Sequence, residues 1–330
     1  MQTVILALAL LPAAMAVSRE LESAFYAHSQ KFGLDFATGD EFAARLEIYA
    51  ANDELINEHN AQGNQTYTMA HNQFSHLSFN EFVELNNLGV RYNVPAKTGA
   101  LHKADRLNGA TEVDWVSAGA VTPIKDQGSC GSCWTFSTTG AVEAHHFLAT
   151  GENVSLAPQQ LVDCAGAFDN AGCNGGLPSH AFEYLHYFGG QMLEADYPYT
   201  AKDGKCVADA AKAAATVSSQ VNITFEDEDM LVDAVGRFGP VSVAFQVASD
   251  FQHYSGGVYT STVCGSGPED VNHAVLAVGY DHDAESGLDY WIVKNSWGTE
   301  WGVENGYFFM ERGRNMCGVA DCASFPICDK

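Results

Sequence analysis

Cys133 stands in the run Gln127-Gly128-Ser129-Cys130-Gly131-Ser132-Cys133-Trp134, a setting suited to nucleophilic chemistry. The attacking species would be the thiolate, because a thiol is a poor nucleophile. Two sources can generate it. The stretch after Cys133 carries Phe136, Val142, Phe147 and Leu148 in an amphipathic pattern and stops at Thr150-Gly151. This predicts a helix of roughly four turns with a glycine stop. Cys133 would lie at its N-terminus, where the helix dipole favours negative charge. The second source is an imidazolium partner, which can bring a thiol pKa down to about 3–4. His273, in Val271-Asn272-His273-Ala274-Val275, is the candidate base, and Asn295, in Lys294-Asn295-Ser296-Trp297-Gly298, the candidate orienter.

Residues 274–280 and 290–294 are strand-like, with a polar turn at 281–287 between them. Paired residues of an antiparallel hairpin share a constant index sum. His273 and Asn295 are symmetric about position 284, so the spacing predicts that they face each other at the open end of one hairpin. Gln127 could donate its amide to an oxyanion, together with the backbone N–H of Cys133. Trp297 could cover the His273–Asn295 pair and exclude water, strengthening their hydrogen bond. Cys130-Gly131-Ser132-Cys133 is also a C-x-x-C, but no βαβ pattern precedes it and no second pair of ligands matches it. Neither a metal nor a cofactor is expected. His145-His146 is predicted to lie on a solvated helix face. His71, His76, His180, His186, His253 and His282 read as structural or surface residues.

These motifs resemble the papain family of cysteine peptidases over about residues 109–326, and within it the branch of cathepsin H and aleurain. Cys133–Gly140, Gln160-Leu161-Val162-Asp163-Cys164-Ala165, Gly175-Gly176-Leu177-Pro178-Ser179, Asn315–Ala320 and Cys322–Pro326 carry the likeness. The resemblance implies an α+β, papain-like two-lobed peptidase. One lobe is helical and carries Cys133; the other is β-barrel-like and carries His273 and Asn295; peptide binds between them. It assigns Cys133 as nucleophile, His273 as base, Asn295 as orienter and Gln127 as oxyanion donor. It places Gly175, Gly176, Leu177, Pro178, Val271, Ala274 and Trp297 at the substrate site. The pocket residues Leu177, Pro178, Val271 and Ala274 are small or apolar, which suits a bulky apolar side chain two residues before the scissile bond. The resemblance also pairs Cys130 with Cys173, Cys164 with Cys206, and Cys264 with Cys317, leaving Cys133, Cys322 and Cys328. A non-catalytic binding or storage homologue would usually lose the nucleophile, and all four catalytic groups are present.

Residues 1–16 read as a signal peptide, with a short apolar run and an Ala14-Met15-Ala16 cleavage site too short to span a membrane. In residues 17–108, Glu41, Arg45, Tyr49, Asn52, Ile56 and Asn60 form one helical stripe, with Glu41 and Arg45 spaced for an i,i+4 pair. The stripe is similar to the inhibitory (I29-like) propeptide helix of the family. Ala70–His76 is similar to its second propeptide motif, with His76 where the family has Asp. Residues 93–108 read as a cleavable linker, and residues 109–330 as the peptidase domain.

The net charge is −25, of which residues 109–330 hold −20, from 9 basic and 29 acidic residues. Such a surface disfavours nucleic acid and anionic membranes. Nine cysteines, all within 130–328, indicate an oxidising compartment. The secretory pathway is expected, ending in a lysosome, a vacuole or outside the cell. Asn64, Asn153 and Asn222 head glycosylation sequons expected on surface loops. Expected partners are peptide or protein substrates, the chain's own propeptide and cystatin-like inhibitors, with the enzyme a monomer. In the cathepsin H branch a cysteine matching Cys322 holds a propeptide remnant that restricts the enzyme to trimming N-termini. No cysteine precedes Cys130 here, so endopeptidase activity is expected, with cathepsin H-like aminopeptidase activity the alternative. A Cys322–Cys328 bond would need a sharp turn, because six extended residues span about 20 Å.

Overall fold

The computed structural model describes residues 17–88, 99–104 and 109–329; the predicted signal peptide and most of the predicted linker lie outside them. Local chemistry sets the first helices. α1 (Arg19–Phe32) is capped by the Ser18 hydroxyl and stops at Gly33 in the left-handed region. α2 (Gly39–Ala61) is capped by Thr38. After β1 (Tyr67–Met69) comes α3 (Phe79–Leu85), where Ser78 and Glu81 satisfy each other's backbone as a capping box.

The predicted stripe does become the working face of α2, though not with the predicted pairing. Tyr49 and Ile56 are buried. Asn52 donates to Ser75 O and Leu77 O, both at 3.0 Å, and Asn60 brackets the Met69 backbone at 2.8 and 3.0 Å. Arg45 turns away from Glu41 and meets Glu81 at 2.7 Å; Glu41 instead accepts from Ala37 N. A partner in the next segment wins over one on the same exposed helix face, because Arg45 can also reach His76 O.

Further along come β2 (Ala100–Leu101), β3 (Val113–Asp114), α4 (Cys133–Thr150), α5 (Pro158–Cys164), α6 (Pro178–Phe188), β4 (Gln191–Met192), β5 (Ala213–Ala215), β6 (Val217–Asn222) and α7 (Glu228–Arg237). The chain closes with β7 (Val241–Phe245), β8 (Tyr254–Tyr259), β9 (His273–Asp283), β10 (Leu288–Lys294), β11 (Tyr307–Glu311) and β12 (Ser324–Cys328). The main sheet runs β1-β8-β11-β10-β9-β7-β12-β6-β2, with β3 on β9. Among the described strands it is open, so the barrel-like lobe is an open sheet.

Two cores define two lobes. One gathers Trp134, Val142, Leu161, Phe182 and Leu185 of the helices. The other gathers Val243, Phe245, Phe251, Trp291 and Phe308 of the sheet, and Phe74 and Phe82 of the N-terminal segment join it. β9 feeds both. Ala274, Leu276 and Val278 face the helical core, and Val275 and Ala277 the sheet core. A strand alternates its side chains, and this one is apolar on both faces because both are covered. α4 is likewise buried nearly all round, which corrects the prediction for His145 and His146: both are buried, and His145 Nε2 hydrogen-bonds Pro240 O at 3.0 Å. The disulfides join Cys130 to Cys173, Cys164 to Cys206, and Cys264 to Cys317. Asn64 and Asn153 are exposed, but Asn222 is buried in β6 with no room for a glycan. Its sequon reads as a loop only because nothing in the tripeptide reports strand pairing.

Burial leaves several histidines unable to take a proton cheaply. It lowers His28, His145, His253 and His273 from 6.5 to about 4, and lowers His76 as well. A histidine depressed in the folded state stabilises it above the unfolded pKa and loses that contribution as pH falls toward the folded one. The melting temperature of a Cys133→Ala precursor should therefore hold above pH 6.5 and fall steadily toward pH 4. His28→Gln with His253→Gln should flatten the slope; an unchanged slope in that variant would count against the argument.

Candidate active site

Cys133 is the first residue of α4. Ser132 makes no side-chain cap and the first turn carries no acidic residue, so the positive end of the helix dipole is left to the sulfur. The Ser132 hydroxyl instead meets Tyr199 OH, which donates to Gln127 O at 2.8 Å. Across the cleft, His273 opens β9 and pairs with Phe245 of β7. The β9–β10 register differs from the symmetric prediction: Trp291 pairs with Tyr280, and a bulge after Ile292 places Lys294 opposite Leu276. His273 and Asn295 are thus not a paired position. They still meet at the open end, His273 Nε2 lying 2.8 Å from Asn295 Oδ1.

That oxygen also accepts from Ser296 N at 2.8 Å, which fixes the amide orientation and makes His273 Nε2 the donor. Nδ1 then carries the lone pair and has no hydrogen-bond partner. Trp297 stacks on the imidazole, centroids 4.7 Å apart, and is itself buried beneath Phe74 and Phe82. Gln127 is fully buried. Its Oε1 accepts from Ser296 Oγ at 2.7 Å, and its Nε2 donates to Cys130 O at 3.1 Å, leaving a second N–H.

Cys133, His273, Gly176, Leu177, Pro178, Val271 and Ala274 line one cavity. Gly175 lies behind it, its N–H bonded to Gly172 O. The cavity also takes in Ala244, Pro268, Glu269, Asn272 and Cys322, which the sequence reading did not place there, and Asn87 from the N-terminal segment. Asn87 donates to Cys173 O at 2.7 Å beside Gly131, where an added Cβ would come within 2.8 Å of Asn87 and 2.4 Å of Cys173 O. The N-terminal segment therefore reaches the cleft at Asn87. Gln73 Nε2 donates to Trp297 O at 2.6 Å, and Asn72 Nδ2 to Gln252 O at 2.8 Å.

Burial pushes the Cys133 thiol up to about 11 against the N–H groups of Ala274, Trp134 and Cys133, which favour the thiolate. Burial also pulls His273 down to about 4. Both shifts oppose the ion pair expected from sequence, because desolvation disfavours the charged form of each group.

A buried network missed by the sequence reading supports Asn295 from behind. Lys294 Nζ donates to Thr122 O at 2.7 Å and to its hydroxyl at 3.0 Å. That hydroxyl donates to Glu143 of α4, which also meets Lys125 at 3.1 Å. The signal available was Glu143, the one carboxylate in a helix with no other Asp, Glu, Lys or Arg. Among the described residues no cluster could hold a metal ion, and no helix is long and apolar enough to cross a membrane.

The fold and its covered cleft define a cysteine peptidase in precursor form, and comparison with known proteins agrees. The family model "Papain family cysteine protease" matches residues 109–327, and "Cathepsin propeptide inhibitor domain (I29)" matches residues 25–82. Pro-cathepsin H of Medicago truncatula is 50% identical over 303 residues, covering 92% of this chain and 85% of the relative. Thiol protease aleurain of Arabidopsis thaliana is 49% identical over 303 residues, 92% of this chain and 83% of the relative. Digestive procathepsin L 3 from Tenebrio molitor larval midgut superposes with a TM-score of 0.86 at 39% identity, covering 94% of this chain and 99% of that one. The chain belongs to the papain family of cysteine proteases and is made as a precursor with a cathepsin-type propeptide.

With the thiol at about 11, the thiolate is scarce near neutral pH. Iodoacetamide should alkylate Cys133 in the precursor at least about 100-fold more slowly than after removal of the propeptide, followed by peptide mapping. Equal rates would show that the propeptide does not silence the sulfur.

Proposed function

We propose that the processed chain is an endopeptidase in which Cys133 attacks the peptide carbonyl. His273 Nδ1 takes the thiol proton, Asn295 holds the imidazole in the tautomer that allows it, and the oxyanion accepts from the Cys133 N–H and Gln127 Nε2. His273 then returns the proton to the leaving amine, and water, activated by the same nitrogen, hydrolyses the thioester. The observation that carries the assignment is the fixed Nε2–Asn295 contact, which leaves Nδ1 unpaired on the cavity shared with Cys133. Gly175, Gly176, Leu177, Pro178, Val271 and Ala274 would bind the substrate chain, and Trp297 would shield the His273–Asn295 bond. Residues 17–108 would be the inhibitor removed from 109–330 at maturation. The route would be secretory, to a lysosome, vacuole or the cell exterior, with Asn64 and Asn153 open to glycans. Cystatin-like inhibitors would compete for the cleft of a monomeric enzyme.

The second reading is aminopeptidase activity, favoured by relatives named pro-cathepsin H. It requires something to close the non-primed side of the cleft. Residues 1–129 contain no cysteine that could anchor a remnant there, which favours an open cleft.

Cys133→Ala and His273→Ala should abolish hydrolysis of a fluorogenic peptide, while Asn295→Ala keeps a larger share of kcat because an orienter contributes less than a base. Equal kcat losses for the His273 and Asn295 variants would contradict these roles. Mature enzyme should cut an N-acetylated peptide internally about as well as the free one. If it removes single residues from free N-termini and leaves acetylated peptides intact, the aminopeptidase reading takes over.

A further inference from the structure

Both edges of the main sheet are closed by residues from the N-terminal part of the chain. β1 pairs with β8, and β2 pairs in parallel with β6. The second contact is built like a recognition site. Ala100 pairs with Val221, Leu101 pairs with Asn222, and His102 N donates to Asn222 O at 2.8 Å. Ala100 and Leu101 expose their side chains, so little there depends on their identity. The residues on either side are different. Gly99 has φ +99°, and a Cβ on it would come within 2.8 Å of Gln220 Cγ and Gln220 O. His102 is buried, its ring edge-on to Phe238 at 5.4 Å. Its Nε2 lies 2.8 Å from Asp233 Oδ2. Asp233 is 1% exposed on its side chain, and its other oxygen accepts from Arg237 Nε at 2.6 Å. A buried carboxylate oriented by its own arginine, under an aromatic lid, is a specific seat for an imidazole.

We propose that the β6 edge and the Asp233 pocket form a peptide-binding exosite of the catalytic domain that selects an extended Gly-x-x-His segment. The chain's own residues 99–102 fill it in the precursor. Main-chain pairing supplies attachment, and the two outer positions supply selectivity, as in strand addition to a sheet edge. Once processing releases the linker, the site is open to a segment of the same pattern in trans. The proposal is independent of the endopeptidase reading, because nothing in the exosite touches Cys133.

The test uses the full-length Cys133→Ala precursor, in which the propeptide keeps the cleft filled. Gly99→Val with His102→Ala in that chain empties the exosite. The probe is a fluorescein-labelled peptide of residues 97–104, read by anisotropy. It should bind the emptied precursor saturably and at least about tenfold more tightly than the precursor with its own linker, which competes at high effective concentration. Substituting the peptide's Gly by Val or its His by Ala should each weaken binding by about tenfold or more, as should Asp233→Asn in the emptied precursor. The peptide variants leave the protein untouched, so selectivity is read even where Asp233→Asn does not fold. No saturation, equal binding to both precursors, or indifference to the peptide's Gly and His would each overturn the proposal.

Discussion

The arrangement depends on one strand being buried on both faces. β9 sends Ala274, Leu276 and Val278 into the helical core, and Val275 and Ala277 into the sheet core. Ser137 of α4 fastens to Val275 O at 2.6 Å, and the α4 backbone at Gly140 lies against Leu276. Helix α4 and strand β9 cannot slide past one another without opening a cavity in one core, at about 2–5 kcal/mol per large side chain lost. Cys133 begins the helix and His273 begins the strand. Their relative position is therefore a packing consequence, and a misplacement of about 1 Å at such a site can cost on the order of 100-fold in rate. Asn295 and Gln127 hang on the same frame, through β10 pairing and the Ser296 contacts.

The burial that builds the site also silences it. The dipole of α4 and three N–H groups favour a thiolate, yet desolvation by burial outweighs them and pushes the thiol up to about 11. The propeptide blocks sterically as well, since Asn87 lines the cavity of Cys133 and His273 and is tied to Cys173 O. Several of the depressed histidines lie within the propeptide or facing it. His28 and His76 sit in the propeptide, 6.0 Å apart between ring centroids, and His253 lies opposite His71.

The chemistry was legible because it is written in local runs: Gln127–Trp134, the residues around His273, and those around Asn295. The α4 span and its glycine stop followed from periodicity, and the hairpin from its turn. Register did not follow, because the bulge after Ile292 answers to β11 and β7 on the far sides of the two strands, which the hairpin sequence does not contain. His145 and His146 were misread because α4 is covered on every side, and a helix shows its buried breadth only once its neighbours are known. Glu41 and Arg45 were misread for the opposite reason: helix spacing describes a local option, and Glu81 offered a better one. The Glu143–Thr122–Lys294 network was invisible because its members are far apart in sequence and individually ordinary.

The two closed sheet edges explain why a propeptide of this kind needs more than an inhibitory plug. A bare edge strand exposes unpaired N–H and C=O groups and invites pairing with other chains. The folding chain meets that hazard with its own N-terminal part: β1 covers β8, where Gly257 at φ +78° lets the backbones approach, and β2 covers β6. Among the described residues between them, Asn87 lines the cleft. Covering the edges protects folding and covering the cleft prevents premature activity, and one continuous stretch does both. If maturation removes this stretch, as proposed above, all three surfaces open together and the mature enzyme has to tolerate two open edges. β8 limits its exposure by carrying Gly256 and Gly257, which weaken it as a template for pairing. β6 carries Ser218, Ser219 and Gln220 at its centre, polar residues that discourage indiscriminate pairing while leaving the Asp233 pocket to choose what docks.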